Sequence, residues 1–351
     1  MLEREKLDIL AQRTLQKLLR DNVLSASAIE LVLNDACNLA CSYCFETVKT
    51  AKRQMPYHIG KAAVDHMLGK PHQDRKEIFF FGGEPFLAWK VMRDLIAYAR
   101  SLEPDNVRLG LSVTTNATYV PPDAPEILKG QDVGVLVSLD PGKVAHDTER
   151  RFRDGRPSFS LARGNAIRLL SAGVYTSVRI TVMPKYVGDL YEFVCECVDV
   201  GFREIVIGAA LPGEWNDESI SDFAQVASQV GLLERSLRSQ NADTQIRLFD
   251  DYKNPVKSCS AGTSLLAISP EGEVYGCSRL LMANKGKGTQ KIGDILSFHA
   301  DKTAQEQISE GTRLSGCAAV NFDENGNVAI RSNTLVKLDN ALRAVAQDFF
   351  V

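Results

Sequence analysis

The chain reads as an α/β protein built on a parallel sheet and followed by a smaller α+β unit. Two observations carry this reading. Between residues 28 and 208, short β-rich runs (28–34, 77–81, 107–114, 133–139, 174–183 and 203–208) alternate with helical ones (57–69, 86–101, 121–129, 159–172 and 187–199). Six strands separated by helices predict βα units whose crossovers share one hand. Past residue 250 the pattern changes to short paired runs around a tight Pro270-Glu-Gly272 turn. With 351 residues, the expected division is a helical segment over 1–27, a main domain over 28–245 and a small domain over 246–351.

Composition narrows the function classes. Apolar residues make up 44% of the chain and charged residues 24%, enough for a sizeable core under an ordinary surface. A net charge of −3 gives no global pull toward nucleic acid or an anionic membrane. No apolar run approaches the roughly 18 residues of a membrane span. Eight cysteines without a secretory signal pattern point to a reducing cytoplasm and to metal-bound or free thiols.

Taken in order, residues 3–20 place Leu7, Leu10, Ala11, Leu15 and Leu18 on one stripe and read as an amphipathic helix covering the main domain. The first strand then runs into a loop with three cysteines, Cys37-Asn-Leu-Ala-Cys41-Ser-Tyr43-Cys44. Three thiols within eight residues at a strand end are not core filler. Zinc sites show paired spacings that close a tetrahedron, and no second pair or nearby His follows. The spacing fits three ligands of an iron–sulfur cluster, leaving a fourth position for something other than protein.

Cys37-x3-Cys41-x2-Cys44, with Tyr43 before the last cysteine, resembles the signature of the radical S-adenosylmethionine (SAM) enzymes. The longer run to Phe45-Glu46 resembles the branch with anaerobic sulfatase-maturating enzymes and peptide maturases. The resemblance implies a 4Fe–4S cluster held by Cys37, Cys41 and Cys44, whose open iron is chelated by the amino and carboxylate groups of SAM. One electron from the cluster then cleaves SAM to methionine and a 5′-deoxyadenosyl radical, which abstracts hydrogen from substrate. It also sharpens the fold to a partial (β/α)6 TIM-like barrel, with chemistry at the C-terminal strand ends.

The later strand ends carry matching motifs. After the second strand comes Gly82-Gly83-Glu84-Pro85, where two glycines admit close backbone approach and Glu84 adds a carboxylate. By resemblance this stretch accepts hydrogen bonds from the SAM ammonium. The third strand ends in Thr115-Asn116-Ala117, where relatives have Thr-Asn-Gly; capping of the turn and ligand contact both stay open for Asn116. The fourth ends in Ser138-Leu-Asp140-Pro141, followed by His146-Asp147 and Arg150. By resemblance, Ser138 and Arg150 contact the SAM carboxylate, with Tyr43 and Asp140 also at the cofactor, and Val182 on the fifth strand packs against the adenine. Arg179 on that strand is either a cavity charge or an exposed edge residue. Arg151, Arg153 and Arg156 make the following loop basic, a solvated face or a receiver of acidic peptide. Cys195 and Cys197, two apart on a helix, point to different faces and read as structural.

A helix is expected over 218–238. In the last unit, Cys259-x12-Gly272-x4-Cys277 and Ile292-Gly-Asp-Ile295 resemble the opening of the SPASM and twitch extensions, which bind auxiliary iron–sulfur clusters. Here only Cys317 follows, so three thiolates, Cys259, Cys277 and Cys317, remain for an auxiliary site. One cluster with a non-cysteine ligand, one whose open iron binds substrate, and a site without metal all stay open; one auxiliary cluster is the expectation. Branch membership implies a peptide or protein substrate under post-translational modification and a reductant such as flavodoxin or ferredoxin. A small molecule such as an amino sugar or nucleotide is the alternative substrate, and a non-catalytic electron-transfer protein the alternative of another class.

Overall fold

The structure, a computed structural model, describes residues 26–44, 53–69, 74–210, 213–248, 260–283, 291–297, 299–300 and 333–350. The expected helix over 3–20, Cys259 and Cys317 lie outside the described residues.

The elements follow in the order β1 (Ala28–Val32), α1 (Tyr57–Leu68), β2 (Arg75–Phe81), α2 (Trp89–Ser101), β3 (Arg108–Thr115), α3 (Ala124–Gly130), β4 (Val133–Leu139), α4 (Gly142–Glu149), α5 (Phe159–Ser171), β5 (Thr176–Val182), α6 (Leu190–Val200), β6 (Glu204–Ala209) and α7 (Asp217–Ser239). After them come β7 (Gln245–Arg247), β8 (Leu265–Ile268), β9 (Glu273–Tyr275), α8 (Ser278–Ala283), β10 (Lys291–Asp294), β11 (His299–Ala300) and α9 (Asn333–Phe350). Strands β1 to β7 pair in sequence order, all parallel. This is the mixed α/β architecture of a partial TIM-like barrel. The smaller unit continues the same sheet at its other edge: β8 pairs parallel with β1, and β9, β10 and β11 follow antiparallel.

Alternation along the strands explains the layers. Ile78 and Phe80, Leu111 and Val113, Val135 and Val137, Val178 and Ile180, and Ile205 and Ile207 are buried in one apolar cluster with the helices. Burying each such side chain fully contributes about 1.5–3 kcal/mol. The intervening residues, including Ser112, Ser138, Arg179 and Thr181, are half-buried on the opposite, open face.

Six parallel strands fall within a few residues of expectation. The seventh does not follow from the pattern: β7 has three residues with only Ile246 buried, too short to show alternation, and it crosses the expected boundary at 245. Helix α7 starts at a reciprocal cap, where Asn216 Oδ1 accepts from Ser219 N at 2.8 Å and Ser219 Oγ accepts from Asn216 N at 3.0 Å. Helix α9 lays Leu338, Leu342, Val345 and Ala346 into the core and ties to α7 through Lys337 Nζ and Asp217 at 2.6 Å. The expected Pro-Glu-Gly hairpin is present between β8 and β9, with Gly272 at φ +92° and its amide donating to Ser269 O at 3.0 Å.

Candidate active site

The loop after β1 is gripped from three sides. On the first, Leu33 N donates to Phe81 O (2.8 Å), Gly83 N to Asn34 O (2.9 Å) and Glu84 N to Ala36 O (2.8 Å). The Asn34 side chain returns the contact, donating through Nδ2 to Glu84 O at 2.9 Å. Gly82 and Gly83 are glycines because of this approach. A Cβ at Gly82, where φ is +142°, would lie 2.5 Å from Asn34 O, and one at Gly83 would lie 2.3 Å from Ala36 O. The close backbone that the glycine pair was expected to admit is that of the cysteine loop itself.

Glu84 is fully buried and its carboxylate is spent within the protein. It accepts from Phe86 N (3.1 Å), Thr115 Oγ1 (2.7 Å) and Asn116 N (2.8 Å), fastening the end of β2 to that of β3. Burial pushes this carboxyl up to about 7 against the pull of its three donors. Pro85 opens the short 3₁₀ turn that follows.

The second grip comes from the end of β3. Asn38 Nδ2 donates to Thr118 Oγ1 at 2.8 Å, and Asn116 Nδ2 donates to Asn38 Oδ1 at 2.9 Å and to Cys37 Sγ at 3.7 Å. Asn116 therefore turns to the cysteine loop. Ala117, replacing the glycine of the related motif, takes the left-handed φ of +53°.

The third comes from the segment after α4. Ala40 N donates to Arg151 O (2.8 Å), Ser42 N to Glu149 O (2.9 Å), and Arg153 N to Asn38 O (3.3 Å), with Arg153 Nε on Cys37 O at 2.8 Å. Leu39, fully buried, bridges Phe152 in antiparallel fashion.

Inside this frame lies a charged chain. Arg150 Nη1 donates to the Tyr43 hydroxyl at 2.7 Å, and that hydroxyl donates to the Asp140 carboxylate at 2.6–2.7 Å. Burial pushes Asp140 up to about 6, with Arg150 and Tyr43 opposing. Burial disfavours the Arg150 charge, yet Tyr43, Cys41 and Asp140 around it hold it firmly positive. Arg150 Nε is buried and has no hydrogen-bond partner.

Behind the chain, His146 explains the His-Asp-x-x-Arg stretch. Asp140 N donates to His146 Nδ1 at 3.3 Å, so the proton sits on Nε2, which faces Ser158 Oγ at 3.0 Å. Ser158 Oγ in turn donates to Arg150 O. Asp147 accepts from Ser158 N and Phe159 N at the start of α5. Burial, with Arg150 adding, pulls His146 down to about 3, so the ring is neutral. Its stabilisation is present above its unfolded pKa of about 6.5 and is lost as pH falls toward 3, whereas Asp140 and Glu84, raised, act in the opposite sense. The stability gap between the wild type and His146→Gln is therefore expected to narrow by about 2 kcal/mol from pH 7 to pH 5, read by urea unfolding.

Of the other expected residues, Ser138 sits half-buried on the open face at the end of β4. Val182 does not join the group: it is fully buried in the helix-facing core with Ile180, because the two share strand parity. Arg179 occupies the open face, its guanidinium so close over β6 that a Cβ at Gly208 would lie 2.4 Å from Nη2. Cys277 is half-buried just before α8, where Ser278 N donates to Glu30 Oε2 at 2.6 Å. Asn34 and Asn38 were not singled out from sequence, since isolated polar residues give no signal before their burial is known.

The geometry is a half-barrel of parallel strands with a three-cysteine loop after its first strand and a buried guanidinium beside that loop. The chain matches the Radical SAM superfamily over residues 31–196. It is 26% identical over 76% of its length to an uncharacterized protein of Methanocaldococcus jannaschii, covering 87% of that protein. It is 26% identical to a cysteine-type anaerobic sulfatase-maturating enzyme of Clostridium novyi, over 69% of this chain and 70% of that one. Its fold superposes on native anSMEcpe with bound AdoMet and Kp18Cys peptide at a TM-score of 0.73, with 19% identity over 92% of this chain and 97% of that one.

The family implies a 4Fe–4S cluster and SAM, and the described residues offer three thiols on one loop for the first and a buried guanidinium for the second. Among the described residues no three His, Cys, Asp or Glu side chains converge on a single ion. A cubane takes each thiolate on a different iron, so it needs three spaced thiols rather than three converging ones. The buried Arg150 Nε without a partner, close enough to Cys41 to feel its charge, fits the carboxylate of SAM. No described helix is long and apolar enough to cross a membrane.

Proposed function

We propose that this enzyme reductively cleaves SAM and abstracts hydrogen from a peptide or protein substrate that it modifies post-translationally. The carrying observation is the Arg150–Tyr43–Asp140 chain beside the cysteine loop, with one guanidinium N–H left unpartnered in a buried position. When bound, the cluster and SAM supply one electron and a carbon-centred radical. The chain's own residues do the positioning. Cys37, Cys41 and Cys44 hold the cluster; Arg150, with Ser138 on the adjacent strand end, receives the SAM carboxylate. Gly82–Pro85 offers backbone acceptors to its ammonium, and the buried frame keeps water from the reacting centre.

Relatedness to a sulfatase-maturating enzyme and likeness to a peptide-bound structure support the peptide reading. In the same reading, Cys259, Cys277 and Cys317 hold one auxiliary cluster, and a cytoplasmic flavodoxin or ferredoxin supplies the electron. The test is anaerobic: reconstituted protein, SAM and dithionite, with 5′-deoxyadenosine followed by chromatography. Wild type is expected to form it at least 100-fold faster than Cys41→Ala, and equal rates sink the reading. Candidate peptides are then screened by mass change dependent on SAM.

A further inference from the structure

Asn116 reaches Cys37 in a geometry that settles which end of its amide faces the sulfur. Its Oδ1 accepts from Thr118 N at 2.9 Å and from Thr118 Oγ1 at 2.6 Å. A backbone amide can only donate, so the acceptor end of Asn116 points at Thr118 and the NH2 end points away. That end lies 2.9 Å from Asn38 Oδ1 and 3.7 Å from Cys37 Sγ. The residue is 5% exposed, and its own backbone N–H is pinned to Glu84 Oε2. The donor is thus fixed from three directions before any cluster binds. A second donor, Leu39 N, lies 3.4 Å from the same sulfur.

We propose that Asn116 is a positioning residue for the cluster: it orients the Cys37 thiolate and raises the cluster's reduction potential through its Nδ2–H···Sγ hydrogen bond. Each electron added to a cluster makes its ligand sulfurs more negative, and a donor aimed at one of them favours the reduced form. This gives Asn116 a role other than capping the turn or touching SAM, and it rests on the assignment of the cluster to Cys37, Cys41 and Cys44.

The experiment is an anaerobic redox titration of the reconstituted holoenzyme without SAM, followed by EPR, with iron and sulfide counted per chain. Asn116→Ala is expected to lower the reduced-to-oxidised ratio at fixed solution potential about tenfold, which is 59 mV for a one-electron couple. Asn116→Asp, which keeps the Thr118 contacts but turns a carboxylate oxygen to the sulfur, is expected to lower it further. Gly130→Ala, a substitution with nothing within 4 Å of its added Cβ and outside the frame of the cysteine loop, is expected to match the wild type. Unchanged potentials in both Asn116 variants, or an equal shift in Gly130→Ala, overturn the proposal. If neither Asn116 variant retains iron, wild-type protein carrying ¹⁵N only in asparagine side chains decides: a ¹⁵N coupling to the reduced cluster in pulsed EPR is expected, and its absence overturns the proposal. A wild type without any cluster signal would instead sink the cluster assignment.

Discussion

Gly83→Ala is expected to be recovered with little iron and with SAM cleavage at least 100-fold below wild type. The added Cβ would lie 2.3 Å from Ala36 O, 2.5 Å from Ala36 C and 2.9 Å from Asp35 O, all backbone. No rotamer change relieves a backbone clash, so one chain must move. The end of β2 is the stiffer side, since Glu84 is held by Phe86 N, Thr115 Oγ1 and Asn116 N. The cysteine loop yields, and its bonds Gly83 N to Asn34 O and Glu84 N to Ala36 O are strained together. Overpacking of this kind costs about 1–3 kcal/mol of stability. The larger effect falls on function, because Cys37 is the next residue along. Iron per chain after reconstitution, measured beside a thermal melt, separates the two effects. A Gly83→Ala protein with a full cluster would show that the loop is not placed by this contact. A Gly130→Ala control, with nothing within 4 Å of its Cβ, is expected to load normally.

What was legible in the sequence divides by the kind of signal. The cysteine spacing, the glycine pair and the Ser138–Arg150 interval are carried by residue types that chemistry or close approach demands, and the fold brings Tyr43, Asp140 and Arg150 together around the loop. Glycine announces that something comes close without saying what, so Gly82 and Gly83 pointed to a ligand while the structure puts Asn34 and Ala36 there. The six long strands were legible because alternation needs length, and β7, three residues long, had none. Val182 could be placed by parity. Its parity with Val178 and Ile180 was present in the sequence and places it in the helix-facing core. Asn34 and Asn38 belong to the frame through contacts 50 and 80 residues away in sequence, which leave no local pattern. Within the stretch from His146 to Arg150 the imidazole and Ser158 fix the backbone of Asp140 and Arg150, and Asp147 anchors α5.

Arg150→Met removes the one cation of the buried chain and is expected to weaken SAM binding about 100-fold or more, the scale of truncating one partner in a buried charged contact. The guanidinium has two functions that the variants separate. It balances Asp140 through the Tyr43 hydroxyl, and in the proposed function it presents the unpartnered Nε to the SAM carboxylate. Losing the first leaves a buried carboxylate without its cation, costing about 3–5 kcal/mol of stability. Losing the second costs affinity alone. Arg150→Met/Asp140→Asn is therefore expected to recover most of the stability and none of the SAM affinity. The pH dependence gives an independent check. Burial already pushes Asp140 up to about 6 with Arg150 opposing it, so removing Arg150 raises the carboxyl further. A group raised in the folded state contributes stability that is lost as pH rises through its folded value. The destabilisation in Arg150→Met is thus expected to be larger at pH 8 than at pH 5.5, and the difference is expected to vanish when Asp140 is also Asn. Urea unfolding at the two pH values, with isothermal titration of SAM into each reconstituted variant, checks both halves. Wild-type SAM affinity in Arg150→Met would remove the guanidinium from the cofactor site, and affinity restored in the double variant would show that Asp140, not Nε, governs it.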